Sequence, residues 1–154
     1  MGITFIIGTQ VSVNAMKKEN RWFLIVDDEP DMCWILEHVL RQEACSVKKA
    51  TSGKEAMELL KSNKFRMAFV DLKLRDMEGL ELARRLKAAD PSLRIVMISG
   101  FCYRDDSTVQ KALAEGLICD FIPKPFLHSE VIRSLVFARS TPGDDTPLMP
   151  GFPK

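Results

Sequence analysis

Four stretches of this chain run apolar and then stop at a group that can handle charge. Phe23-Leu24-Ile25-Val26 stops at Asp27 and Asp28. Met67-Ala68-Phe69-Val70 stops at Asp71. Ile95-Val96-Met97-Ile98 stops at Ser99, and Phe121-Ile122 is followed after one proline by Lys124. Three carboxylates held together repel one another and raise each other's pKa. A hard divalent cation relieves that repulsion, and few protein ligands with room for water suit Mg²⁺. In this reading Asp28 and Asp71 coordinate directly and Asp27 acts mainly through water. The backbone carbonyl of Lys73 is a further ligand. A carboxylate beside such an ion can attack a phosphoryl group. Lys124 would hold a phosphoryl oxygen as a point charge, Ser99 would donate a hydroxyl, and Gly100 would leave room. Each group has a part in phosphoryl transfer, with Asp71 as the reactive member.

Taken singly, these residues have ordinary explanations. Asp27 and Asp28 could cap a helix, Ser99 could sit in a turn, and Lys124 could be a solvated surface lysine. The chemical reading needs elements that bring them together. Trp22–Val26 reads as a first strand, unbroken by polar residues, as expected of a strand covered on both faces. Pro30 opens a helix over 30–43, with Ile35, Leu36, Val39 and Leu40 as its apolar face. Ser46–Ala50 is a weaker second strand. Ser52-Gly53-Lys54-Glu55 has the spacing of a capping box before a second helix. A strand over 66–70 ends at Asp71. A third helix spans about Leu80–Ala88, and Asp90-Pro91 breaks it. Arg94–Ile98 is the fourth strand. A fourth helix starts near Asp105–Ser107 and ends at Gly116. A short fifth strand covers Cys119–Ile122, and a last helix covers His128–Arg139. Alternating strand–helix units predict an α/β domain with a mostly parallel sheet and right-handed crossovers. Such sheets bind ligands beyond the carboxyl ends of their strands. Asp27, Asp28, Asp71, Ser99 and Lys124 all lie there.

Composition narrows the function. The chain has 154 residues, 46% hydrophobic and 28% charged, which suits one domain with a packed core. A formal net charge of +1 gives no electrostatic argument for nucleic acid. Cys33, Cys45, Cys102 and Cys119 have neither zinc-site nor disulfide-framework spacing, and reduced thiols in a cytoplasmic protein are the expectation. Cys102 is the one placed near the site. His38 and His128 are expected to be surface residues. The apolar stretch Ile3–Val13 is too short to span a bilayer and has no basic region ahead of it. Residues 1–20 are expected to be an extension outside the fold, flexible or non-native. Residues 140–154, rich in proline and glycine, are expected to be a flexible tail.

The segments Val26-Asp27-Asp28-Glu29-Pro30, Val70-Asp71-Leu72, Met77-Glu78-Gly79, Ile98-Ser99-Gly100 and Phe121-Ile122-Pro123-Lys124-Pro125-Phe126 together resemble the two-component response-regulator receiver domain. The resemblance covers about residues 21–139. It implies a flavodoxin-like, doubly wound five-stranded parallel sheet in the order 2-1-3-4-5. It implies Mg²⁺-dependent transfer of a phosphoryl group to Asp71 from a sensor histidine kinase or a histidine phosphotransfer protein. It further implies that Ser99 and Phe121 move inward together, changing a face of helix 4, strand 5 and helix 5 that a downstream protein effector reads. A cis Lys124–Pro125 bond is implied as well. The receiver is expected to be cytoplasmic, without nucleic-acid or membrane contacts of its own, as a monomer or a phosphorylation-linked dimer. The chain reads more readily as a stand-alone receiver than as a piece of a longer regulator.

The chain departs from the family pattern beyond Asp71. Arg75 stands where the family often has proline, and Asp76 adds a charge. The loop is therefore expected to be looser, or to present Arg75 to a partner. Lys73 is placed to influence dephosphorylation. Two other functions compete. A phosphatase of the haloacid-dehalogenase type also uses an aspartate nucleophile with Mg²⁺, but wants an acid two residues further on, where Lys73 stands. A phosphorylation-independent interaction domain is the other.

Overall fold

The structure is a computed structural model and describes residues 22–100 and 105–139. The expected extension (1–20), the expected tail (140–154) and Cys102 lie outside the described residues. The elements alternate throughout: β1 (Trp22–Val26), α1 (Pro30–Gln42), β2 (Ser46–Ala50), α2 (Gly53–Ser62), β3 (Met67–Asp71), α3 (Gly79–Ala89), β4 (Arg94–Ser99), α4 (Ser107–Ala114), β5 (Asp120–Pro123) and α5 (His128–Arg139). The strands form one sheet in the order β2-β1-β3-β4-β5, and every neighbouring pair is parallel. This is the flavodoxin-like doubly wound topology, with helices on both faces.

The side-chain period of two in a strand explains why the apolar runs are continuous. Leu24 and Val26 enter one core with Ala56, Leu82, Leu86 and Val109. Phe23 and Ile25 enter the opposite core with Leu36, Leu40, Val131 and Leu135. Each large apolar side chain so buried contributes about 1.5–3 kcal/mol. The two cores hold the sheet rigidly and fix where the strand ends fall.

Three local features differ from the sequence reading. Ile35 was expected on the buried face of α1 but is 41% exposed, and Cys33 joins Leu36, Val39 and Leu40 instead. Positions 33, 36 and 40 repeat at three and four residues and share the stripe, whereas 35 falls at its edge. The capping box at α2 is half formed. Ser52 Oγ accepts from the Glu55 N–H at 3.1 Å, but the Glu55 carboxylate accepts from Thr51 Oγ1 at 3.4 Å. Finally, β3 and β4 run one residue further than expected and include Asp71 and Ser99. Both groups thus leave from ordered strand rather than from loop. Among the described residues, no helix is long and apolar enough to cross a membrane.

Candidate functional site

Parallel register gathers the strand ends along one edge. Val26 pairs with Val70, Asp71 with Ile98, and Ser99 with Pro123. Asp27, Asp71, Ser99 and Lys124 therefore emerge side by side, although they span about a hundred residues of sequence. Lys124 ties them. Its Nζ donates to Asp27 Oδ2 at 3.0 Å and to Asp71 Oδ2 at 3.2 Å, and reaches Glu29 Oε1 at 3.5 Å. The peptide bond between Lys124 and Pro125 is cis, as the resemblance implied. The Lys124 N–H donates to the Ser99 carbonyl at 2.8 Å. Ser99 itself is fully buried.

The carboxylates divide by what they are already doing. Asp27 is buried, and both its oxygens are engaged. Oδ1 accepts from the Glu29 N–H at 2.9 Å and Oδ2 from Lys124. The buried Cys33 thiol donates to the Asp27 carbonyl at 3.3 Å. Burial, then the Asp27 charge, push that thiol up to about 11, so Cys33 is packing rather than nucleophile. Asp28 is half-buried, with the Arg75 guanidinium 3.8 Å away. Asp71 is buried; its Oδ1 accepts from the Lys73 N–H at 3.3 Å.

Burial and the neighbouring Asp27 charge raise the Asp71 pKa to about 6, against the pull of Lys124. Burial works against the Lys124 ammonium, but Asp27 and Asp71 outweigh it and raise its pKa. Carboxylate oxygens of Asp27, Asp28, Glu29 and Asp71 all lie within 4.8 Å of one another. Such an all-oxygen donor set fits a hard divalent cation of the Mg²⁺ class. Glu29 is the member that the sequence reading missed. Its position next to Asp27 and Asp28 was the available signal.

The raised Asp71 pKa carries a stability consequence in metal-free protein. The folded state holds the Asp71 proton more tightly than the unfolded chain, whose pKa is near 3.8. That contribution is complete below about pH 4 and is lost as pH rises through about 6. Ionised Asp71 therefore weighs against folding at pH 7. Asp71→Asn, which cannot ionise, should stabilise the protein in EDTA at pH 7 by up to about 3 kcal/mol. The gain should vanish by about pH 4, as measured by urea midpoints across pH.

The loop beyond Asp71 is fastened. Leu74 N–H donates to the Met77 carbonyl at 3.2 Å and Gly79 N–H to the Leu72 carbonyl at 2.6 Å, two bonds that pair Lys73 and Glu78 as an antiparallel backbone bridge. Asp76 accepts from the Gly53 and Lys54 N–H groups, at 2.9 and 3.0 Å, and these bonds hold its carboxyl below the usual range. The expectation was a looser loop, or one presenting Arg75 to a partner, because Arg75 stands in place of a proline and Asp76 adds a charge. The charge instead found helix donors in a segment 22–23 residues upstream. Arg75 turns toward Asp28, and Lys73 is exposed.

Phe121 is fully buried in the core beneath β4 and α4. Directly before it, buried Asp120 accepts from Arg133 Nη2 at 2.9 Å and from Ser134 Oγ at 2.8 Å. This tie of β5 to α5 was not foreseen. Asp120 falls at the start of its strand, far from the strand ends that organised the reading. Gly100 stands beside Lys124, but a Cβ there would make an ordinary 3.6 Å contact, so space alone does not demand the glycine.

The sequence profile described as "Response regulator receiver domain" matches residues 23–136. The chain is 36% identical over 128 residues to "Response regulator protein PilR" of Pseudomonas aeruginosa, covering 81% of this chain and 28% of that protein. It is 29% identical over 110 residues to "Transcriptional regulatory protein ZraR" of Escherichia coli, covering 71% of this chain and 24% of that protein. The chain thus spans about a quarter of the length of these relatives. A CheY-like receiver domain from Methanospirillum hungatei superposes with a TM-score of 0.70 at 23% identity, covering 77% of this chain and 92% of that one. That likeness speaks for the fold. Profile, relatives and fold agree, and the chain belongs to the response regulator receiver domain family, whose members act in two-component signalling.

Proposed function

We propose that Asp71 is the phosphoryl acceptor of this receiver, with Asp27, Asp28 and Glu29 as its acidic surround and Lys124 and Ser99 as its partners for the transferred group. The observation that carries this is the Lys124 ammonium, within hydrogen-bond reach of Asp27 and Asp71 at once. The donor is a phosphohistidine of a sensor kinase or phosphotransfer protein. An Asp71 carboxylate oxygen attacks phosphorus as the phosphorus–nitrogen bond breaks. The electron pair leaves with the imidazole nitrogen, and an acyl phosphate remains. A divalent cation held by Asp28, Asp71 and the Lys73 carbonyl would offset charge on the phosphoryl oxygens. Asp27 is already bonded to Lys124 and to the Glu29 N–H, which supports a role through water.

The chain's own residues do the rest. Ionised Asp71 is the nucleophile. Lys124 holds the carboxylate before transfer and exchanges that contact for a phosphoryl oxygen afterwards. The buried Ser99 hydroxyl serves a second phosphoryl oxygen. Pulling Ser99 toward the phosphoryl group biases the adjoining α4–β5–α5 face, which a protein effector reads. Phe121, the switch aromatic that the resemblance implies, is already buried here and, lacking a hydroxyl, has no hydrogen bond to gain at the surface. Incubation with acetyl phosphate and Mg²⁺ should add one phosphoryl group that hydroxylamine removes, as it does from an acyl phosphate. A hydroxylamine-stable adduct would place the modification on a hydroxyl instead.

A further inference from the structure

The segment Leu72–Glu78 closes on itself through the Leu74–Met77 and Gly79–Leu72 bonds, which together form the antiparallel bridge between Lys73 and Glu78. Those bonds set its internal shape. They do not set where its tip stands over the acidic cluster. The tip carries Arg75 and Asp76, both exposed. Arg75 has only its long contact to Asp28, of the kind worth little in water. The strong attachment is Asp76, whose two carboxylate oxygens take the Gly53 and Lys54 N–H groups in parallel.

That attachment completes α2. Glu55 N–H is taken by Ser52 Oγ and Ala56 N–H by the Ser52 carbonyl. With Asp76 on Gly53 and Lys54, the first three N–H groups within the helix, which have no intrahelical acceptor, are satisfied, and the Ala56 bond is the first of the helix ladder. A negative charge there is also favoured by the helix dipole. Next to this clasp, Met77 packs on Gly53 so closely that a Cβ at residue 53 would stand 2.6 Å from the Met77 sulfur. Residues 76 and 77 therefore dock as a pair on residues 53 and 54. A shift of the α2 start moves the tip, and with it the chain that carries Lys73.

We propose that Asp76 is a positioning residue for the cation and phosphoryl site. By clasping the start of α2 it holds Leu72–Met77, and with it the Lys73 carbonyl that the cation-site reading requires beside the acidic cluster, and it keeps Arg75 at the rim. This rests on the reading of that cluster as a divalent-cation site. It also makes the α2 start a mechanical part of the site, though it touches neither the cation nor Asp71.

The test is isothermal titration of the folded full chain with Mg²⁺ at fixed ionic strength, for wild type, Asp76→Ala and Asp76→Asn. Outer contacts that orient ligands typically change metal affinity by 10–100-fold. Asp76→Ala should weaken Mg²⁺ binding about tenfold. Asp76→Asn keeps one acceptor oxygen and should lie between Asp76→Ala and wild type. It also stands in should the alanine variant fail to fold. A purely structural clasp would lower the melting temperature and leave the affinity of the folded protein unchanged. Wild-type affinity in either folded variant overturns the proposal. Absence of Mg²⁺ binding by the wild type overturns the cation-site reading itself, and this proposal with it.

Discussion

Lys124→Met is expected to lower the rate of acetyl-phosphate labelling about a hundredfold or more, the scale on which one preorganised donor to developing charge contributes. Methionine keeps most of the packed stem, so the variant isolates the ammonium. The same change should destabilise metal-free protein. Lys124 is the cation beside buried Asp27 and buried Asp71, and removing one partner of a buried ion pair costs about 3–5 kcal/mol. Asp71 can take up a proton when the ammonium goes, so the lower end of that range is expected. Mg²⁺ should recover part of the loss, because it binds the folded state and neutralises the same carboxylates. Stopped-flow labelling together with urea unfolding, with and without Mg²⁺, reads both effects. Labelling at the wild-type rate would remove Lys124 from the site.

Gly79→Ala is expected to unfold or misplace the Asp71 loop. A Cβ on Gly79 would collide with the Asp71 carbonyl oxygen and stand 2.8 Å from Leu72 Cα and 3.0 Å from the Asp71 carbonyl carbon. These are backbone atoms of β3 and its continuation, with no flexible side chain to give way. The Gly79 N–H bond to the Leu72 carbonyl holds the two segments together at 2.6 Å. Overpacking costs about 1–3 kcal/mol where side chains can adjust, and a backbone collision should reach at least the top of that range. For a domain of this size that is a fall in melting temperature of about 10 °C or more. Gly53→Ala makes a useful contrast. The nearest atoms its Cβ would meet belong to the Met77 side chain, which can move, so a smaller loss is expected in the same calorimetric comparison.

The strand ends were legible because they obey local rules. An apolar run covered on both faces has no polar residue until it leaves the sheet, so Asp27, Asp71 and Ser99 mark their own positions. Parallel order then brings the marks to one edge. Helix starts were nearly as clear, from Pro30 and Ser52. What was not legible depends on contacts between distant segments. Asp76 read as an added charge in a loop, since nothing near it in sequence announces that its partners are Gly53 and Lys54. Asp120 carried no signal of its own in the sequence, since its partners Arg133 and Ser134 lie on the following helix, 13 and 14 residues away. Ile35 was misplaced because it lies at the edge of the helical stripe, whose centre the three-and-four spacing of Cys33, Leu36 and Leu40 defines.

Asp71 is the residue proposed to take the phosphoryl group. Intact-mass spectrometry of wild type and Asp71→Asn after acetyl phosphate and Mg²⁺ tests it most directly, with fragment mapping of any adduct. Wild type should gain one phosphoryl group, mapped to the peptide carrying Asp71, and Asp71→Asn should gain none. An unmodified wild-type protein, or an equally modified Asp71→Asn, would contradict it.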